Sequence, residues 1–212
     1  MSDSVKLWVA RHGETVWHAE NRYAGGDSDI DLTDLGRQQA AGLGAWAGAR
    51  AVEVVISSPV RRARETAQPS ADAVGVAVQV VPGLKEISFG IAEGRSAAEI
   101  EAADPQVMAQ FRADPVANPF PEAESAGDAA VRGARSLREI AAEHHGRRVL
   151  VVAHNTLLRL SLCQLLGVPA GQYRRIFPRL ENAAITEISI PLHGDGLASL
   201  RSLNLPTTVV HS

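Results

Sequence analysis

The sequence predicts an α/β fold built on a mostly parallel sheet that is covered on both faces. Short apolar runs without period-two alternation recur along the 212 residues, which is how strands buried on both faces read. Most of these runs are followed by a longer segment with helical spacing, the rhythm of a parallel sheet joined by crossover helices. The rhythm stops from about residue 87 to 124, where Pro105, Pro115, Pro119 and Pro121 crowd a stretch with one weak helical pattern. That stretch is expected to be a cap or lid inserted into a single domain spanning residues 1–212.

The elements follow in order. "VKLWVA" (5–10) is a buried strand, and after a long loop "TDLGRQQAAGLGAWAGA" (33–49) is a helix that Thr33 or Asp34 can cap. "VEVVISS" (52–58) is a second strand. "PVRRARETAQPSADAVG" (59–75) is a helix opened by a proline, which a first turn tolerates. "VAVQVVP" (76–82) is a third strand. "SAGDAAVRGARSLREIAAEHHG" (125–146) is a helix with Leu137, Ile140 and Ala141 on one face, and "RRVLVVA" (147–153) is a fourth strand. "NTLLRLSLCQLLG" (155–167) is an apolar helix that ends at a glycine. "AAITEISI" and "ASLRSLN" are two last strands, forming a hairpin across "PLHGDG" with Gly194 and Gly196 in the turn.

Composition narrows the function classes. A formal charge of −3 offers no footprint for nucleic acid or an anionic membrane surface. Only Lys6 and Lys85 are lysines, so nearly all positive charge is arginine, the cation suited to planar anion recognition. Cys163 stands alone, so neither an internal disulfide nor a cysteine metal cluster is expected. "MSDSVKLWVARHG" lacks the pattern of a secretory leader, and no apolar segment approaches bilayer length. A cytoplasmic protein is expected.

Ligands of open parallel sheets bind beyond the carboxyl ends of the strands. Arg11 and His12 follow the first strand, Ser57, Ser58 and then Arg62 the second, Glu86 the third and His154 the fourth. Four distant segments would therefore bring two arginines, two histidines and a glutamate to one edge. Taken singly, each has a bland reading: a salt-bridged loop, a solvated helix charge, a surface carboxylate, a core histidine. Together they suit a phosphate ester. Guanidinium forks match phosphoryl oxygens, and one histidine can take the phosphoryl group covalently. A second histidine can donate to its oxygens, and a protonated carboxyl can serve the leaving alkoxide. Two arginines already neutralise the phosphoryl charge, so no metal or other cofactor is required.

The quoted motifs "RHGET", "SSPVRRARETA", "KEISFGIAEGRS" and "VLVVAHN", with "WHAENRYAGGDSDIDLTDLGRQQA" after the first, resemble the histidine phosphatase superfamily, the phosphoglycerate mutase-like group. The resemblance runs in the family's order over about residues 5–190. It implies a three-layer α/β/α sandwich, no metal, and His12 as phosphoryl acceptor. It also implies a phosphate pocket completed by Arg11, Arg62 and His154, with Glu86 as proton donor. The choice of Arg62 over its neighbours Arg61 and Arg64 rests on the family's Arg-Ala pair.

Two positions depart from the family's pattern. His18 stands where Asn is usual, and Asn155 where Gly is usual. Both are assigned to the phosphate pocket. The charge of His18 is expected to depend on pH near neutrality, and Asn155 is expected chiefly to cap its helix. Glu14 and Glu93 are rival proton donors read as structural, Arg159 is read as an ion-pair residue, and Asn182 as a strand-entry residue. "GLGAWAG" (42–48) has the wrong spacing for a dinucleotide fingerprint and lies inside a helix. His144 and His145 are adjacent, so they read as a helix end rather than as zinc ligands.

The function expected is a metal-independent phosphomonoesterase acting on a small phosphorylated metabolite with a neutral or apolar body. Inorganic phosphate is the product, no nucleic acid or membrane is involved, and a homodimer is left open. The alternatives are a phosphoglycerate mutase-type phosphotransferase or a catalytically weak regulatory member. A mutase must hold a second anion, yet residues 96–125 carry six acidic residues and only Arg112.

Overall fold

The computed structural model describes residues 4–192 and 196–207. Its strands are β1 (Ser4–Arg11), β2 (Val54–Ser57), β3 (Val78–Val80), β4 (Val149–Ala153), β5 (Ile185–Pro191) and β6 (Ser199–Leu205). They form one six-stranded sheet in the order β3-β2-β4-β1-β5-β6. The pairings β2–β3, β2–β4 and β1–β4 are parallel, while β1–β5 and β5–β6 are antiparallel. The final hairpin therefore adds two strands to a parallel sheet, of which β5 alone is reversed. Gly194, assigned to its turn, lies outside the described residues.

The helices are α1 (Val16–Ala19), α2 (Asp34–Ala49), α3 (Arg61–Val74), α4 (Ala97–Ala103), α5 (Pro105–Ala113), α6 (Ala126–Glu143), α7 (Asn155–Leu166) and α8 (Tyr173–Ile176). Side chains alternate across a strand, so one strand feeds two cores. Leu7, Val9, Ile56, Val149, Val151 and Ile188 pack with Leu137, Ile140, Leu157 and Leu158 of α6 and α7. Ala10, Val55, Leu150, Val152 and Ile185 pack with α2 and α3 on the other face. Helices on both faces explain the missing alternation in these runs. Three layers result.

Local chemistry sets the ends. Thr33 accepts the N–H of Gly36 and caps α2, Ser125 caps α6, and Gly167 in the left-handed region closes α7. Gly44 of "GLGAWAG" serves packing: a Cβ there would lie 2.8 Å from the Pro69 carbonyl of α3. α6 ends at Glu143, with His144 as its C-cap.

Three expectations need correction. β3 spans three residues rather than 76–82. It is an edge strand, and Gln79 and Val80 face solvent. α3 starts at Arg61 with Val60 as its cap, so Pro59 stands outside the helix and Pro69 lies within it. Residues 87–124 hold two helices rather than one weak pattern. Asp104 ends α4 and caps α5 through a bond from the Val107 N–H, and Pro105 fills the first position of α5. Ile100, Met108, Phe111 and Phe120 form a small core there, against which Tyr23 packs.

Candidate active site

The sheet register brings the site together. Arg11 pairs with Ala153 across β1 and β4, and the His12 N–H donates to the Ala153 carbonyl at 3.0 Å. The first residues beyond these two strands, His12 and His154, are therefore neighbours, with ring centroids 5.2 Å apart. β2 lies on the other side of β4, so Ser58 stands beside His154 and its Oγ is 2.7 Å from His154 Nε2. Arg62 enters one residue into α3. The parallel register thus does what a single motif cannot.

The tautomer of His12 follows from its partners. Nδ1 lies 2.6 Å from the Gly13 carbonyl, an oxygen that can only accept, so Nδ1 carries the hydrogen. Nε2 then holds a lone pair, and Arg62 Nε donates to it at 3.3 Å. His12 is 1% exposed. Burial, then the cations beginning with Arg62, push its pKa well below the usual histidine value. His154 is held neutral in the same way.

Arg62 departs from the expected open fork. Its terminal nitrogens donate to the carbonyls of Ser28 (2.9 Å), Gly25 (3.0 Å) and Ala24 (3.3 Å). The guanidinium is a buried tie between the 24–28 loop and His12, with little of its hydrogen-bonding capacity left over. Arg61 instead pairs with Asp29 and Asp31, and Arg64 is exposed. Arg11 keeps more in reserve. One terminal nitrogen donates to the Leu180 carbonyl at 3.1 Å, while its buried Nε has no partner. His154 Nδ1 is likewise buried and unpartnered. Buried donors and acceptors gain from a partner, so these two nitrogens are available to a polar group in the pocket.

Glu86 occupies an unexpected position. Its Oε1 accepts the N–H groups of Ile87 (2.9 Å) and Leu157 (2.8 Å), and its Oε2 that of Thr156 (3.1 Å). The carboxyl group therefore caps α7 from another segment, and His154, the residue at the cap position, makes no side-chain cap bond. Burial raises the Glu86 pKa, opposed by those three backbone bonds. Glu86 also borders a separate cleft of about 190 Å³ with Lys85, Ser88 and Arg132.

A cavity of about 340 Å³ opens above Arg11 and His18. Thr15 Oγ1 lies 2.5 Å from His18 Nδ1, and the His18 ring is 5.1 Å from that of His12. The expectation that His18 titrates near neutrality is corrected: burial, then Arg11 and Arg62, lower its pKa to about 3. The capping expectation for Asn155 is also corrected. Asn155 is the first residue of α7, and its Oδ1 accepts the Leu180 N–H at 3.0 Å. Among the described residues Arg159 makes no ion pair; its Nε donates to the Phe177 carbonyl and its guanidinium lies over Tyr173. Glu14 and Glu93 are held by Thr33 and Ser28 respectively.

The sequence reading took Asn182 only as a strand-entry residue and did not place the 178–182 segment at the site. Besides the two Leu180 bonds, Asn182 Nδ2 donates to the His12 carbonyl at 2.7 Å and the Ala183 N–H to the Arg11 carbonyl at 2.8 Å. The signal was present: a strand antiparallel to β1 must begin where β1 ends. Thr66 was also missed; its Oγ1 accepts the Gly13 N–H at 2.9 Å. Among the described residues, no group of three or more His, Cys, Asp or Glu converges as metal ligands.

The profile of the histidine phosphatase superfamily (branch 1) matches residues 7–203. The chain belongs to that superfamily. This histidine phosphatase is 32% identical over 184 residues to an Erwinia tasmaniensis protein named as a phosphoglycerate mutase, GpmB, covering 87% of this chain and 84% of that one. It is 31% identical over 198 residues to a Hydrogenobacter thermophilus protein named as a phosphoserine phosphatase, covering 93% and 96%. A mycobacterial glucosyl-3-phosphoglycerate phosphatase structure superposes with a TM-score of 0.82 at 28% identity, covering 95% of this chain and 99% of that one.

Proposed function

We propose that this histidine phosphatase is a metal-independent phosphomonoesterase that hydrolyses a small phosphorylated metabolite through a phosphohistidine on His12. The observation that carries the reading is the lone pair on His12 Nε2, set by the Nδ1–Gly13 bond and kept unprotonated by burial and Arg62. Nε2 attacks phosphorus, the bond to the ester oxygen breaks, and the departing alkoxide takes a proton from the Glu86 carboxyl. Water then attacks the phosphohistidine, gives its proton to the Glu86 carboxylate, and inorganic phosphate leaves. Arg11 Nε, which no described protein group engages, supplies a donor to the phosphoryl oxygens, and a neutral His154 can supply another. His18 and Asn155 line the cavity that opens above Arg11.

The name of the Erwinia relative raises a mutase as the second reading. A mutase needs a second anion site, and the 96–125 segment does not offer its arginine for one: Arg112 is paired with both oxygens of Glu101, at 2.6 and 2.9 Å. Hydrolysis is therefore favoured. The test is to trap the intermediate with a labelled ester. Labelled protein whose phosphate resists alkali and is lost in acid, absent in His12→Ala, is the expected result. A His12→Ala variant that still hydrolyses p-nitrophenyl phosphate at the original rate would overturn the assignment.

A further inference from the structure

Ser58 stands at the end of β2, fully buried, and has so far been given no part in the chemistry. Its Oγ accepts the Val60 N–H at 3.2 Å, at the entry to α3, and lies 2.7 Å from His154 Nε2. The neighbouring Ser57 hydroxyl is engaged elsewhere, donating to the Ser58 carbonyl at 2.9 Å. The ring of His154 therefore meets one hydroxyl, that of Ser58.

A neutral histidine carries one ring hydrogen, on Nδ1 or on Nε2, and a hydroxyl has one hydrogen to donate. Burial, then nearby charges led by Arg62, keep His154 neutral, so its two nitrogens must differ. Suppose Nε2 carried the hydrogen. Ser58 Oγ would then accept from both Nε2 and Val60, and its own hydrogen would have no other acceptor among the described residues. With the lone pair on Nε2 instead, the Ser58 hydroxyl donates to it and the whole chain from Val60 to His154 is matched. A buried donor left without an acceptor is the costlier arrangement.

The ring hydrogen then sits on Nδ1, the buried nitrogen with no protein partner. His12 carries its hydrogen on Nδ1 as well, held by the Gly13 carbonyl. The two rings share one tautomer and use opposite ends of it. His12 offers the lone pair of Nε2, and His154 the N–H of Nδ1.

We propose that Ser58 is a positioning residue whose hydroxyl donates to His154 Nε2 and so keeps the ring hydrogen on Nδ1, free to meet a phosphoryl oxygen at His12. The proposal rests on the phosphatase reading above. It accounts for an uncharged ring acting as a donor: the other tautomer would turn a lone pair toward oxygens on which charge grows in the transition state.

The test reads the tautomer by nitrogen NMR of histidine-labelled protein, in which a ring nitrogen bearing hydrogen is distinct from one bearing a lone pair. Loss of signals in His154→Ala assigns the ring. Wild type is expected to carry hydrogen on Nδ1, and Ser58→Ala to shift the ring toward hydrogen on Nε2. Ser58→Ala should also lower kcat on p-nitrophenyl phosphate about tenfold, the loss of one hydrogen bond. In a His154→Ala background the same change should lower it less than about twofold, because Ser58 acts through the ring. Hydrogen on Nε2 in the wild type, an unmoved tautomer in Ser58→Ala, or a tenfold loss that persists without His154 would overturn the proposal. The wild-type spectrum decides even where Ser58→Ala does not fold. It also needs no turnover, so failure of the phosphatase reading, seen as absent hydrolysis of p-nitrophenyl phosphate, is told apart from failure of the tautomer.

Discussion

The Glu86 carboxylate accepts the backbone N–H of Leu157 at 2.8 Å, joining residues 71 apart in sequence. Together with its bond to Thr156, this gives the first turn of α7 its cap. A group proposed to give up and take back a proton is therefore also a structural tie. The helix N-terminus favours its charged form, while burial favours its neutral form, and burial prevails.

Glu86→Gln keeps a carbonyl acceptor for the helix but cannot donate an acidic proton. It should slow hydrolysis of alkyl phosphates by about a hundredfold or more and p-nitrophenyl phosphate far less, because nitrophenolate needs no proton to leave. Glu86→Ala should in addition lower stability by about 1–3 kcal/mol through the uncapped N–H groups. Equal rate losses on both esters in the Gln variant would move the acid role to another residue.

Stability should fall as the solution is acidified. His12, His154 and His18 have lowered pKa values in the folded state, that of His18 to about 3, whereas the unfolded chain protonates histidine near pH 6.5. The unfolded state therefore binds more protons, and stability is lost progressively as pH drops below about 6.5. Glu86 acts in the opposite sense: its raised pKa makes folding less favourable as pH rises above its ordinary value of 4.5. Three histidines outweigh one carboxyl. Urea unfolding at pH 7.5 and 5.5 should show the loss, and His18→Asn should reduce it; identical midpoints at both pH values would contradict neutral buried rings.

Asn155→Ala removes the acceptor for the Leu180 N–H, and Leu180 is 2% exposed. The unsatisfied donor should cost about 1–3 kcal/mol. Because the Leu180 carbonyl also holds Arg11, KM should rise more than kcat falls. Melting curves and steady-state kinetics on the purified variant check both parts, and an unaltered KM would detach Asn155 from the Arg11 brace.

Gly36→Ala tests the fit of α2 behind the nucleophile loop. A Cβ at residue 36 would lie 2.1 Å from the Glu14 carbonyl, and one at residue 13 would lie 2.5 Å from the Gly36 carbonyl. Overpacking of this kind costs about 1–3 kcal/mol, and the loop carrying His12 must shift to relieve it. Loss of both melting temperature and turnover is expected. A stable, fully active Gly36→Ala protein would show that the two backbones can separate freely.

Much of this clustering was legible in the sequence. Apolar runs without alternation located the central strands, and the rule that ligands gather beyond strand carboxyl ends selected Arg11, His12, Arg62, Glu86 and His154. What stayed hidden was which partner each side chain chooses. Glu86 reads in sequence as a free carboxylate, and only the placement of α7 shows three amides waiting for it. His18 reads as a titrating group, and only burial beside two arginines removes its proton. Leu180 and Asn182 belong to the approach of β5, whose position beside β1 is a fact of topology rather than local pattern.

The commitments of Arg62 have a consequence for what can replace it. Four separate acceptors, three carbonyls and a ring nitrogen, are met by nitrogens of one flat, rigid cation. A lysine has one ammonium on a flexible stem and cannot span that fan of acceptors. Arginine is required here by the architecture of the protein itself, so a lysine exchange at residue 62 should first reveal itself in the melting curve.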